Sequence, residues 1–135
     1  MRLVLDTNVL IAAFISHGTC AELFEYTVLH HTLITSDFIL QEFRKTMREK
    51  FGFSGSKLDE TENHLREGME VITPDVFDTT ISRDPDDDRV LGTALAGGCD
   101  CLITGDNDLL ILHPFRGLPI IRPGDFWQFE EHSPE

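Results

Sequence analysis

Basic residues are scarce in this chain: 11 lysines and arginines stand against 24 aspartates and glutamates, a formal net charge of -13. A surface of that sign repels polyanions at long range. It excludes a protein that gathers nucleic acid by its overall field and leaves room only for local contacts. Cysteine is sparse as well. Cys20, Cys99 and Cys101 are odd in number, and Cys99-Asp100-Cys101 has neither the two-residue gap nor the second half of a zinc site, which excludes a disulfide framework and a structural zinc centre. The three are expected as reduced, partly buried thiols. Long apolar runs are also missing: Leu3-Val4-Leu5 breaks at Asp6, too early for a signal-peptide core or a membrane span, so no membrane contact and a cytoplasmic location are expected. The six histidines, His17, His30, His31, His64, His113 and His132, show no ligand spacing and are expected at the surface or at helix ends.

What is present suits a single core. With 135 residues, 41% of them hydrophobic, the chain has the size and apolar share of one domain. Residues 1–129 are read as that domain and Glu130-Glu131-His132-Ser133-Pro134-Glu135 as a short, frayed acidic tail.

Short apolar runs recur at Leu3-Val4-Leu5, Leu33-Ile34-Thr35, Val71-Ile72-Thr73, Cys101-Leu102-Ile103-Thr104 and Ile120-Ile121, and these read as buried strands. Between them, Phe38, Ile39, Phe43 and Met47, and then Val90, Leu91, Ala94 and Leu95, each trace one face of a helix. Ser36 precedes the helix near 37–50 and Gly97-Gly98 closes the one near 87–96, while Pro74, Pro85, Pro114, Pro119 and Pro123 are placed outside the helices. Strand and helix in alternation predict a three-layer α/β/α sandwich around a central parallel sheet.

In such a sheet the carboxyl ends of the strands and the starts of the following helices share one edge, where ligands bind. Asp6 ends the first strand, Glu42 sits in the helix after the second, Asp88 opens the helix after the third and Asp106 follows the fourth. Each has an ordinary explanation taken singly: Asp6, Asp88 and Asp106 as helix-capping or helix-starting acids, Glu42 as a solvent-facing glutamate. Jointly these explanations weaken. Four caps have no reason to fall after four successive strands, and clustered carboxylates repel unless a cation or shared protons offset the charge. An all-oxygen donor set suits a hard divalent ion, Mg²⁺ or Mn²⁺. Asp84, Asp86 and Asp87 compete for the third position; Asp88 is chosen because it precedes Leu91 by three and Leu95 by seven residues.

These segments resemble the PIN-domain family, metal-dependent nucleases common as toxin halves of toxin–antitoxin pairs. The resemblance spans nearly the whole chain. It is carried by Leu3-Val4-Leu5-Asp6-Thr7-Asn8-Val9-Leu10, by Glu42 within Ile39-Leu40-Gln41-Glu42-Phe43, by Asp88-Arg89-Val90-Leu91-Gly92-Thr93-Ala94 and by Leu102-Ile103-Thr104-Gly105-Asp106-Asn107-Asp108-Leu109. It implies hydrolysis of phosphodiester bonds in single-stranded RNA with a metal activating water. Asp6, Asp88 and Asp106 would be direct or water-mediated ligands, and Glu42 a ligand or the group that orients water. Asn8, Thr104 and Asp108 would support them, with a cognate antitoxin as possible partner and a homo-oligomer expected.

An RNA backbone also needs cationic contacts, and the densest basic stretch is Arg44, Lys45, Arg48 and Lys50 with Lys57 nearby. It reads either as a solvated helix face or as a phosphate rail. Two other readings stay open. A phosphotransfer protein, phosphatase-like or receiver-like, also gathers aspartates at strand ends, but Asn8 stands where the phosphatase pattern has a second aspartate. A non-catalytic module would use the acidic pocket to hold a partner's arginine.

Overall fold

Leu3, Val4, Leu5, Ile34, Cys101, Leu102 and Ile103 are all fully buried, with no alternation along the strands. Such strands belong to a sheet covered on both faces. The computed structural model describes residues 1–133; Pro134 and Glu135, the end of the expected tail, lie outside the described residues. Strands β1 (Arg2–Leu5), β2 (Thr32–Thr35), β3 (Met69–Val71), β4 (Cys101–Ile103) and β5 (Ile120–Ile121) form one sheet in the order β3-β2-β1-β4-β5, and every neighbouring pair is parallel. The connecting helices are α1 (Thr7–Ile15), α2 (Thr19–His30), α3 (Asp37–Phe51), α4 (Gly55–Gly68), α5 (Pro85–Ala96) and α6 (Asn107–Leu110), and α7 (Phe126–Glu131) closes the chain. Right-handed crossovers put α1–α4 on one face and α5 on the other, giving the three layers.

The chain winds outward from β1 to β3 and then returns to lay β4 on the other side of β1. The carboxyl ends of β1 and β4 therefore flank the point where the winding reverses, the crevice in which open α/β sheets bind ligands.

Local chemistry sets the helix ends. Ser36 caps α3, accepting the Ile39 N–H at 3.4 Å, and Gly52, at φ 71, ends that helix in the left-handed conformation that glycine adopts without strain. Three boundaries differ from the expectations. The third strand runs over Met69–Val71, two residues before the expected Val71-Ile72-Thr73; its last bond to β2 is the Ile72 N–H on the Thr35 carbonyl at 2.9 Å, and Pro74 has no N–H to extend the ladder. Pro85 is the first residue of α5 rather than outside it, a position where the missing N–H costs nothing, and Pro123 likewise opens a 3-10 turn.

The acidic tail starts later than residue 130, since Glu130 and Glu131 belong to α7. Tyr26 donates its hydroxyl to Glu130 at 2.8 Å, and His31 pairs with the same carboxylate. Burial pushes the Glu130 carboxyl up, but the hydrogen bonds from His31 and Tyr26 outweigh it and hold the group below its usual range. Trp127 lies 6.3 Å from Tyr26 and 6.1 Å from Phe126, so an aromatic cluster pins α7 to α2.

Candidate metal centre at the sheet edge

Asp6 is delivered by β1 and caps α1. Its Oδ1 accepts the Thr7 N–H at 2.8 Å and its Oδ2 accepts the Thr104 hydroxyl at 2.7 Å. Thr104 in turn accepts the Asp106 N–H at 3.0 Å, so one fully buried threonine sets both the first and the last acid of the cluster. Glu42 reaches the same place from the second turn of α3, where Oε1 accepts the Thr7 hydroxyl at 2.9 Å. Asp6, Thr7, Asn8, Glu42, Asp87 and Asp106 line one cavity of about 140 Å³, with Thr46, Asp84, Asp86 and Val90 completing its wall.

The third acid of that cavity is Asp87, the neighbour of the residue the sequence reading favoured. Asp88 points elsewhere: its two oxygens accept the backbone N–H groups of Ile81 and Ser82 at 3.0 and 2.8 Å, fixing the loop before α5. It lines a separate cleft of about 450 Å³ walled by apolar groups such as Phe38, Pro74 and Phe77. That cleft is larger, but the converging carboxylates lie in the smaller cavity. The helix period explains the difference. Asp87 precedes buried Val90, Leu91 and Ala94 by three, four and seven residues, whereas Leu95, seven after Asp88, is only partly buried. That signal was present in Asp84-Pro85-Asp86-Asp87-Asp88, but the choice of Leu95 as an inward position turned the assumed face by one residue.

The electrostatics carry the mark of crowding. Burial is the main force pushing the Asp87 carboxyl up to about 6, with Asp106, Asp84 and Asp6 adding repulsion against the Ser82 hydroxyl, which donates to Oδ2 at 2.9 Å. Burial likewise raises Asp6, opposed by its bonds from Thr104 and Thr7, and raises Glu42 with further repulsion from Asp86, Asp6 and Asp84. Among the described residues no lysine, arginine or histidine ion-pairs with Asp6, Glu42, Asp87 or Asp106.

The carboxylates also keep open positions. Glu42 Oε2, Asp87 Oδ1 and Asp106 Oδ2 accept no hydrogen bond among the described residues, while Asp106 Oδ1 takes the Asp108 N–H at 2.9 Å. One oxygen each from Asp87, Asp106 and Asp108 lie within 4.8 Å of one another. A donor set made of carboxylate oxygens, in which Asp6, Glu42, Asp87 and Asp106 have no ion-pair partner among the described residues, fits a hard divalent ion.

The remaining expected residues divide. Asn8 lies exposed on the cavity wall, and Asp108 stands at its rim, where the Arg83 guanidinium donates to both of its oxygens at 3.0 Å. Arg44 is held by α4 instead, 2.8 Å from Asp59 and 3.4 Å from Glu62. Lys45 and Arg48 are exposed, but only Lys45, three residues after Glu42, lies on the cavity side of α3. Sequence reasoning missed Thr7 and Ser82, whose hydroxyls hold the acids, and Arg83 and Arg122, whose guanidiniums hold the first turn of α6. Single polar residues in loops leave no periodic signal.

The profile of the PIN domain matches residues 2–108. No curated protein matches the chain significantly. Among solved structures, VapBC2 from Rickettsia felis, bound to a DNA fragment from their promoter, shares the fold with a TM-score of 0.65 and 14% identity, covering 90% of this chain and 98% of that one. At that identity the likeness speaks for the fold. The profile takes in β1 to β4 together with Asp6, Glu42, Asp87 and Asp106, and the chain belongs to the PIN-domain family.

Proposed function

We propose that the protein is a divalent-metal-dependent endoribonuclease that hydrolyses phosphodiester bonds of single-stranded RNA, and that it acts as the toxin of a toxin–antitoxin pair. The observation that carries the reading is the set of open carboxylate oxygens on Glu42, Asp87 and Asp106 facing one cavity, with no ion pair to a lysine, arginine or histidine among the described residues. Asp6, Asp87 and Asp106 would hold Mg²⁺ or Mn²⁺. When bound, such an ion lowers the pKa of water, offsets charge building on the phosphate and lets an acidic cavity accept a polyanion.

The chain's own residues then have separate tasks. Thr104 and Thr7 fix Asp6 in one rotamer, and Ser82 does the same for Asp87. Glu42, its Oε1 occupied by Thr7, keeps Oε2 to orient the attacking water and take its proton; burial raises its pKa toward the range where a carboxylate works as a base.

The structural kinship with a VapBC complex supports an antitoxin as partner, and one of its side chains would reach the same acids. A cytoplasmic location and a homo-oligomer belong to the same reading; no described helix is long and apolar enough to cross a membrane. The test is labelled single-stranded RNA of mixed sequence incubated with the protein and Mn²⁺ or Mg²⁺. Cleavage that stops with chelator and with Asp87→Asn supports the reading, and RNA left intact by folded, metal-loaded protein overturns it.

A further inference from the structure

Two guanidiniums hold the first turn of α6, the helix capped by Asp106 of the acid cavity. Arg83, in the loop before α5, donates through Nη2 to both oxygens of Asp108 at 3.0 Å, and Arg122, just past β5, donates through Nη2 to Asn107 Oδ1 at 3.0 Å. They come from segments far apart in sequence and grip adjacent residues. Both are exposed, with 85% of the Arg83 side chain open to solvent. Each guanidinium has five N–H donors, and each here spends one nitrogen on the protein.

We propose that Arg83 and Arg122 form a phosphate-binding site for the RNA backbone, separate from the metal centre, so that the strand crosses the first turn of α6. The inference rests on the ribonuclease reading above. The expected rail on α3 does not serve as well, because Arg44 is tied to Asp59 and Glu62 and Arg48, one turn past it, shares its side of the helix, which leaves Lys45 alone toward the cavity. In a chain of net charge -13, cationic contacts beside the cavity are the ones able to hold a polyanion there.

Asp108 gives the site a second property. It has an oxygen in the group of three within 4.8 Å that could share a cation, yet Arg83 occupies it. An exposed ion pair couples its members by no more than about fivefold, so the pair opens readily. A planar fork of donors suits a phosphodiester as well as a carboxylate. Arg83 is therefore a substrate-binding residue that moves from Asp108 to a phosphate when RNA arrives, leaving Asp108 open to the cation.

Removing Arg83 then separates the two ligands, weakening the hold on RNA without weakening the hold on the metal, which a support of the metal site would not give. Mn²⁺ binding, followed by calorimetry without RNA, is expected to be unchanged or up to about fivefold tighter in Arg83→Ala. Binding of a labelled mixed-sequence 2′-O-methyl oligoribonucleotide, shown by gel to remain intact, is expected to weaken about tenfold in the presence of Mn²⁺. Its salt slope should fall by about 0.7 for Arg83→Ala and by about 1.4 when Arg122→Ala is added, one single-strand phosphate contact each. Arg83→Lys should restore the slope but not the full affinity.

A salt slope and affinity unchanged in the double variant would overturn the proposal while leaving the ribonuclease reading intact. Weaker Mn²⁺ binding in Arg83→Ala would also overturn it, by making Arg83 a support of the metal site. Failure of the wild type to bind or cleave RNA would instead remove the reading beneath it. Capture of an acidic peptide but not RNA by the two arginines would make the face a protein interface and end the proposal.

Discussion

Asp87 and Asp88 are adjacent, yet a helical step of about 100° separates their side chains, enough to put one carboxylate in the acid cavity and the other on the backbone of Ile81 and Ser82. The same substitution is therefore expected to act in opposite directions at the two positions. The Asp87 carboxyl is pushed from its ordinary 3.8 up to about 6, so the folded chain holds a proton that the unfolded chain releases. Metal-free stability then falls as pH rises from about 4 to about 6, and ionised Asp87 opposes the fold at neutral pH. Asp87→Asn should raise stability in chelator at pH 7 by about 1–2 kcal/mol and flatten its pH dependence in that window. Asp88→Asn removes one acceptor from a pair of backbone N–H groups and should cost about 1 kcal/mol. Saturating Mn²⁺ should reverse the first ranking, since a ligand at about 100 times its dissociation constant adds about 2.7 kcal/mol to the intact site. Thermal melts of the three proteins, with chelator and with metal, measure all of this; Asp87→Asn melting below wild type in chelator would show that ionising Asp87 in its buried place costs the fold nothing.

At the scale of the element, α5 works because residue 92 has no side chain. A Cβ on Gly92 would meet the carbonyl oxygen of Asp75 at 2.2 Å, and the Asp75 N–H bonds the Gly92 carbonyl at 3.0 Å. Gly92→Ala must push the 73–78 loop off the helix, breaking that bond and opening the core beside it, at an expected cost of about 2–3 kcal/mol. Melting midpoints unchanged within error would show the loop to be freely yielding. How much of such an element was legible beforehand follows from what repeats. The buried face of α5, the strand runs and the order of acids at strand ends are periodic or positional, so Val90, Leu91, Asp6 and Asp106 could be placed from sequence. Glu42 stood out only in company with the other three acids, because one glutamate on an amphipathic helix carries no signal of its own. Asp87 was passed over for Asp88 because neighbouring acids are distinguished only by phase, and Glu130 and Glu131 were read as tail because the anchors of Glu130, Tyr26 and His31, lie a hundred residues away in sequence.

For the whole molecule the governing quantity is the charge of -13 spread over 135 residues. Exposed acids repel one another in the folded state, and monovalent salt screens them beyond about 10 Å at 0.1 M. The metal-free protein is expected to melt higher as NaCl rises from about 10 to 150 mM, by a few degrees. A midpoint that falls with salt would mean that ion pairs such as Arg66 with Asp37 and Glu62 outweigh the net repulsion.

The aromatic cluster that pins α7 has an optical consequence. The chain has one tryptophan, and Trp127 is packed against Tyr26 and Phe126, away from the residues that line the acid cavity. Its emission therefore reports the docking of the last helix and is blind to the chemistry at the sheet edge. Mn²⁺ titration should leave the emission maximum where it is, while Tyr26→Ala should shift it to the red in a chain whose metal affinity is unchanged. Fluorescence and metal binding thus become two independent channels, one reading the docking of α7 on α2 and the other the occupancy of the site.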